Sequence, residues 1–291
     1  MQLISVGQLI DQTWDHYRAN WRELLSVSAW VLVPTIIAMV TMAMYPNATT
    51  MLAANDFSAM ETGAVVVWFL NNTLLAPIVG LWVFLMIVKL IHSQMERRSF
   101  NFLSLAKNGW KLFLPVLLVN ILIFLILAAL WLTVVPGVFF YIIGALTNIS
   151  FFDGLGAVLL AAGIIAAFVL MVEWLVYFIY APMSLVIENI HGRKALDRSK
   201  NLIHGRFWSV LVRFIVPKLV FILILIAAEW LIGVVIGLTA ASVSGFNTDL
   251  AAKLSTISIT FSVALGMVFI NPLYIISDYL LFNNLRATEK N

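Results

Sequence analysis

Apolar residues run through this chain in blocks rather than in alternation. Stretches near 24–45, 63–91, 112–135, 155–187, 208–241 and 252–283 are almost continuously hydrophobic, and polar residues collect between them. A helix needs about 20 residues to cross a ~30 Å hydrocarbon core. Each block therefore predicts one crossing, and the fold class is all-α: a polytopic membrane protein with six transmembrane helices in a single membrane domain, 1–291. The apolar segment from Gly137 to Leu146, after the turn signal Pro136-Gly137, is too short to cross alone and reads as an outer interfacial or re-entrant piece. Counting it as a crossing gives a seven-span alternative.

Three of the intervening polar segments carry a helical period of their own. Ser5-Val6-Gly7-Gln8 has the spacing of a capping box, and Val6, Ile10, Trp14, Tyr17 and Trp21 then recur at steps of three or four. Phe102, Leu105, Ala106 and Trp110 form a second stripe flanked by Lys107 and Lys111. In the third segment Ala195, Ser199, Leu202 and Ile203 oppose Arg193, Lys194, Asp197, Arg198, Lys200 and Asn201. Such helices lie in the headgroup plane with bases over anionic lipid and the apolar side in the acyl boundary. Each is followed by a hydrophobic hairpin, which predicts three amphipathic-helix-plus-hairpin units, 1–95, 96–190 and 191–291. Every crossing also holds one proline: Pro34, Pro77, Pro115, Pro182, Pro217 and Pro272. Inside a helix a proline removes a hydrogen bond and kinks the axis; in a first turn it is harmless.

Composition adds the solvent and charge adds the orientation. Hydrophobic residues make up 63% of the chain and charged ones 11%, against ~25% charged in a soluble domain, so the chain is built for a bilayer. The bases gather on alternate segments: Arg18, Arg22, Arg97, Arg98, Lys107, Lys111, the 193–206 cluster with Arg206, then Arg286 and Lys290. The opposite segments hold Asp56, Glu61, Asp153 and Asp249, with Lys253 the one base near them. By the positive-inside rule both termini are cytoplasmic. The first twenty residues, with Asp11, Asp15 and Arg18, lack the basic start and apolar run of a cleavable signal peptide. A net charge of +3 does not indicate a nucleic-acid binder.

Candidate chemistry is sparse. There is no cysteine, and His16, His92, His191 and His204 are scattered, so no metal or cofactor is expected. Ser184 and Ser199 have no elbow motif around them, and no phosphate loop is present. Asn47-Ala48-Thr49 and Asn148-Ile149-Ser150 are sequons, relevant only in a eukaryotic source. The suggestive residues are Glu173 and Glu229, because an ionisable group at mid-membrane costs ~2.5–3.5 kcal/mol on insertion scales. Two registers are open for Glu229. A fifth span starting at Trp208 puts it about 31 Å in, at the outer headgroups, but drags Arg213 and Lys218 into hydrocarbon. A span starting at Lys218 puts it about 16 Å deep, with Glu173 about 22 Å from Glu188 on the neighbouring crossing. The second register is preferred because two bases well inside cannot snorkel cheaply; two acids at that depth have two readings open, one in which they share a proton or face a polar cavity and one in which each is protonated or hydrogen-bonded within the bundle to Tyr, Trp or Asn and moves nothing. Asn71, Asn72 and Asn120 are further in-span polar residues suited to joining helices, at about 0.6 kcal/mol per bond. The residues expected to meet lipid or a partner are Arg193, Lys194, Arg198, Lys200, Arg206, Trp14 and Trp21.

The run Ala181-Pro182-Met183-Ser184-Leu185-Val186-Ile187-Glu188, then Gly192-Arg193-Lys194-Ala195-Leu196-Asp197-Arg198-Ser199, then Leu202 and Gly205 to Trp208, resembles a segment of the membrane domain of glycerophosphodiester phosphodiesterases and of the related YciC-like bacterial inner-membrane proteins. Trp14 to Pro34 and Val135-Pro136-Gly137 resemble the same family's opening helix and mid-chain turn, although Pro136 and Pro182 lie farther apart here. The resemblance implies a bacterial inner-membrane location. It does not bring the catalytic barrel, for which no soluble stretch remains. The function expected is therefore non-enzymatic: a multi-pass protein that interacts with the anionic headgroups of membrane lipids or serves as a scaffold or accessory subunit of a membrane complex. The alternative is a transporter or permease subunit whose cavity is lined by Glu173 and Glu229.

Overall fold

The computed structural model describes residues 3–45, 58–97, 101–245 and 248–289. Pro46, the Asn47 sequon, Asp56, Arg98 and Lys290 lie outside them. Among the described residues the chain is all-helical, with six helical runs long and apolar enough to cross a membrane: 6–43, 59–95, 102–147, 150–188, 207–242 and 248–289. The residues divide into two compact units. The first comprises 1–113 and 212–284, the second 114–211 and 285–291. Of the three sequence units, 1–95 lies wholly in the first, whereas 96–190 and 191–291 are each divided between the two.

In the first unit, α1 (Val6–Ser28) opens with the expected capping box: the Ser5 hydroxyl accepts from the Gln8 amide and the Gln8 side chain accepts from the Ser5 amide. The helix breaks at Asn20, which leaves helical φ/ψ and donates its side-chain amide to the His16 carbonyl at 3.0 Å. A 3-10 turn, Ala29–Val31, leads into α2 (Leu32–Ala43), where Pro34 sits in the first turn. A second capping box, Ser58 with Glu61, starts α3 (Ala59–Leu70), and a π-helical turn, Asn71–Leu75, precedes α4 (Ala76–Met95) and its first-turn Pro77. The proline ring and its missing N–H are thus accommodated by irregular turns rather than by kinks within α-helix. The Asn71 side chain donates to the Pro34 carbonyl at 3.0 Å, tying α2 to this turn.

Helix α4 is the centre of this unit. Trp82, Val83, Leu85, Met86, Ile87, Val88, Leu90 and Ile91 are all buried, as befits a helix apolar on every side and packed by neighbours. Trp30 and Trp110 stand against Trp82 with ring centroids 5.6 Å away in each case. Trp110 belongs to α5 (Phe102–Leu130), so the expected second interfacial segment is continuous with its crossing, and Pro115 lies inside that helix. The remaining walls come from α10 (Phe207–Ser244) and α11 (Thr248–Glu289), with Pro217 and Pro272 in their interiors.

The second unit corrects the reading of residues 137–146. After a 3-10 turn, Trp131–Val134, the helix resumes as α6 (Val135–Thr147) and so extends the third run rather than forming a separate interfacial piece or a seventh span. It pairs with α7 (Ser150–Phe178) through a turn at Asn148, whose φ is 52°. Glycine permits this pairing: a Cβ on Gly137 would run into the Leu160 backbone, and one on Gly156 into that of Tyr141. Close backbone approach through small residues is how helices associate where lipid removes the hydrophobic incentive. Helix α7 gives way at Ile179 and Tyr180 to α8 (Ala181–Glu188), with Pro182 in its first turn. The short α9 (Arg193–Ile203) follows.

Candidate functional site

Helix α1 has two usable faces, and the structure assigns them opposite environments. Leu9, Thr13, Leu24 and Val27 are buried. On that side His16 meets the Gln94 side chain at 3.0 Å, and Gln94 in turn donates to Glu23 at 2.7 Å. The aromatic stripe faces outward, with Trp14 49% and Trp21 47% exposed. Trp14 stacks on Tyr17 at 6.0 Å, and the Arg22 guanidinium sits 5.5 Å from the Trp21 ring centroid.

This outward stripe forms one wall of an open groove of about 930 Å³. Trp14, Tyr17, Arg18 and Trp21 line it from α1, while α10 and α11 supply the other walls, from Phe221 to Ile232 and from Ser258 to Leu273. At 1.5 Å per residue those walls extend roughly 16 and 22 Å along their helices. The lining is apolar apart from Arg18, Glu229 and a few hydroxyls. Glu229 accepts from the Ser262 hydroxyl at 2.6 Å, and Gly266, on the same face one turn along, leaves room for the carboxylate. Arg18 is exposed beside two indoles; Glu229 is half-buried and already hydrogen-bonded.

The other sequence candidates fall elsewhere. Glu173 belongs to the second unit, is half-buried and makes no hydrogen bond or ion pair with the described residues. The bonded partner of Glu229, within the first unit, is Ser262. Asn120, also in the second unit, has no such partner among the described residues, and Asn72 bonds the Trp68 carbonyl of its own helix at 2.8 Å. Of the three asparagines Asn71 is the one that joins two helices.

The basic helix α9 is tied into its own unit. Ala195, Leu196, Ser199, Leu202 and Ile203 are buried, so its apolar side packs on protein instead of lying in an acyl boundary. Arg198 bonds Glu188 at 2.9 Å and Glu289 at 2.6 Å, and Arg286 bonds Glu188 at 2.7 Å. The hydrogen bond to Glu188 is the chief influence raising the Arg198 pKa above its already high value. Arg206 donates to Thr288 at 2.6 Å, and the Lys200 ammonium lies 5.2 Å from the Trp174 ring. That leaves Arg193 and Lys194 as the exposed bases of the helix. Ser199 spans the helix break: it donates to the Tyr177 carbonyl at 2.6 Å and accepts from the Tyr180 amide at 3.1 Å. The Glu188, Arg198 and Ser199 of the quoted segment are thus architectural.

Two features escaped the sequence reading. Lys218 pairs with Asp278 at 2.8 Å and lies over the Phe214 ring, while Arg213 donates to the Ile4 carbonyl at 2.6 Å. Both bases near the start of α10 therefore have acceptors, and Asp278 was the signal, an acid at the base-rich end of the last crossing. The second is a polar cavity between α4 and the start of α5, lined in part by Lys111, which the sequence placed only as a charge flanking the second stripe. Among the described residues no three His, Asp or Glu side chains are grouped to hold a metal. Comparison of the chain with protein-family models, with curated proteins and with solved structures finds no match.

Proposed function

We propose that this chain is a non-enzymatic multi-pass protein of the bacterial inner membrane that holds a lipid in the groove beneath α1, with its termini and base-rich ends cytoplasmic. The observation that carries this reading is the groove itself. Its long, apolar walls suit an acyl chain, and at the α1 side Arg18 stands between Trp14 and Trp21. Indole rings favour the headgroup level, and a guanidinium pairs with phosphate in two-point geometry. The similarity of residues 181–208 to the phosphodiesterase-associated membrane domains supports the same location. A role as an accessory subunit of a membrane complex is compatible with this site, with the exposed Arg193 and Lys194 as contacts.

Glu229 on the groove wall favours a second reading, a transporter that moves a cation or proton past that carboxylate. One set of variants separates the two. Combining Trp14→Ala, Arg18→Gln and Trp21→Ala is expected to strip lipid that the wild type retains through detergent purification, whereas Glu229→Gln retains it. Lipid phosphorus per protein measures this. Retention by the triple variant rejects the lipid site, and a cation flux in proteoliposomes that Glu229→Gln abolishes establishes the transporter instead.

A further inference from the structure

The groove beneath α1 changes character along its length. Hydrogen bonds fix which end α1 covers. His16 and Glu23 both meet the Gln94 side chain near the end of α4, and His92, two residues earlier on α4, stands 2.8 Å from the Tyr279 hydroxyl. The Ile4 carbonyl accepts from Arg213 and its amide donates to Asn284. Arg18 and Trp21, between His16 and Glu23 in the chain, are therefore level with the base-rich ends of α10 and α11. From that end the groove runs along Phe221, Leu225 and Ala228 on α10 and along Leu273, Phe269 and Leu265 on α11, with no polar side chain from either helix.

The first polar groups are Glu229 and Ser262, eight residues from Phe221 and eleven from Leu273, and Ser258 lies one turn farther on. At 1.5 Å per residue the apolar walls measure about 12 and 16 Å. Half of a ~30 Å hydrocarbon core is about 15 Å, so the acid stands close to the bilayer midplane. Its position is held. Oε2 accepts from the Ser262 hydroxyl at 2.6 Å, and the missing side chain at Gly266 lets Oε1 lie against α11, where a Cβ would stand 3.0 Å from it.

An extended acyl chain advances about 1.3 Å per carbon, given C–C bonds of ~1.5 Å, so a chain entering between Phe221 and Leu273 reaches the acid after about 9–12 carbons. Up to that point each methylene meets apolar surface. Farther methylenes strip water from a carboxylate and two hydroxyls without replacing a hydrogen bond, a cost that shorter chains avoid. On the lipid reading of the groove, on which the inference rests, we propose that Glu229, with Ser262 and Ser258 behind it, is a polar floor that selects the bound phospholipid by chain length. The favoured chain has about 9–12 carbons.

The test offers the detergent-purified full chain an equimolar mixture of decanoyl- and palmitoyl-lysophosphatidic acid and reads the bound lipid by native mass spectrometry. The wild type is expected to carry the decanoyl lipid in at least about tenfold excess. Glu229→Leu is expected to carry both in the ratio supplied; Ser262 then keeps its bond to the Ile259 carbonyl at 3.3 Å. If that variant fails to fold, Glu229→Gln decides: its amide can still accept from Ser262 but carries no charge, and the excess should fall at least about threefold. A wild type that carries neither lipid overturns the lipid reading and the floor together. A wild type that carries both in the ratio supplied, or a Glu229 variant that keeps the full decanoyl excess, overturns the floor and leaves the lipid reading standing.

Discussion

Replacing Gly156 with leucine is expected to destabilise the protein by about 3 kcal/mol, while the same change at Gly154 costs less than about 0.5 kcal/mol. The two glycines lie on one helix, α7, yet a Cβ at Gly154 meets nothing within 4 Å and one at Gly156 meets the Tyr141 backbone. Backbone cannot rotate away as a side chain does, so the whole α6–α7 contact must open. Thr133 would move with it, because its hydroxyl donates to the Gly163 carbonyl at 3.0 Å farther along the pair. Between helices in lipid there is no hydrophobic gain to offset a looser fit. Unfolding in mixed detergent and sodium dodecyl sulfate micelles measures both variants. Equal losses at the two positions would show that the hairpin is not held by close backbone contact.

The second large effect is expected at Glu188. Its side chain is 11% exposed and takes hydrogen bonds from Arg198 and Arg286. Glu188→Gln leaves two guanidiniums facing a neutral amide. Breaking a buried pair costs about 3–5 kcal/mol, but both arginines reach solvent and Arg198 keeps Glu289, so solvent screening reduces the expected loss to about 2 kcal/mol. A cycle with Arg286→Gln checks the cause: the two losses should be less than additive, because each change removes the same contact. Strict additivity would mean that the ion pair contributes nothing.

The sequence made some of this legible. The capping box at Ser5 and the six apolar runs follow from short-range chemistry, and both recur in the structure; the prolines did not announce which would start a helix, as Pro34, Pro77 and Pro182 do, and which would lie inside one, as Pro115, Pro217 and Pro272 do. The expected lipid-facing stripe of α1 is the exposed one, but its protein-facing side did not follow from the sequence. Trp14, Tyr17 and Trp21 mark the more hydrophobic stripe, yet Leu9, Thr13 and Leu24 are the residues that pack on protein. In a soluble protein the apolar face is the buried one; beside a bilayer both faces meet apolar surroundings, and steric fit decides which one meets protein. The same blurring hid the pairing of α6 with α7, where glycine positions rather than hydropathy carry the information. Glu188 and Arg198 lie ten residues apart across a break, and Lys218 and Asp278 sixty apart, separations at which helical periodicity says nothing. Glu229 accepts from Ser262 on the neighbouring helix, thirty-three residues away, a partner that depth along the helix does not reveal because depth leaves azimuth open.

The central claim is that the groove beneath α1 holds one lipid. Native mass spectrometry of the detergent-purified chain tests it most directly, comparing the wild type with Ala228→Trp, in which an indole is placed on the groove wall at an exposed position. The account predicts one lipid retained per wild-type chain and none on the variant, with both equally folded. A wild type that carries no lipid, or a variant that carries the same lipid as the wild type, would contradict it.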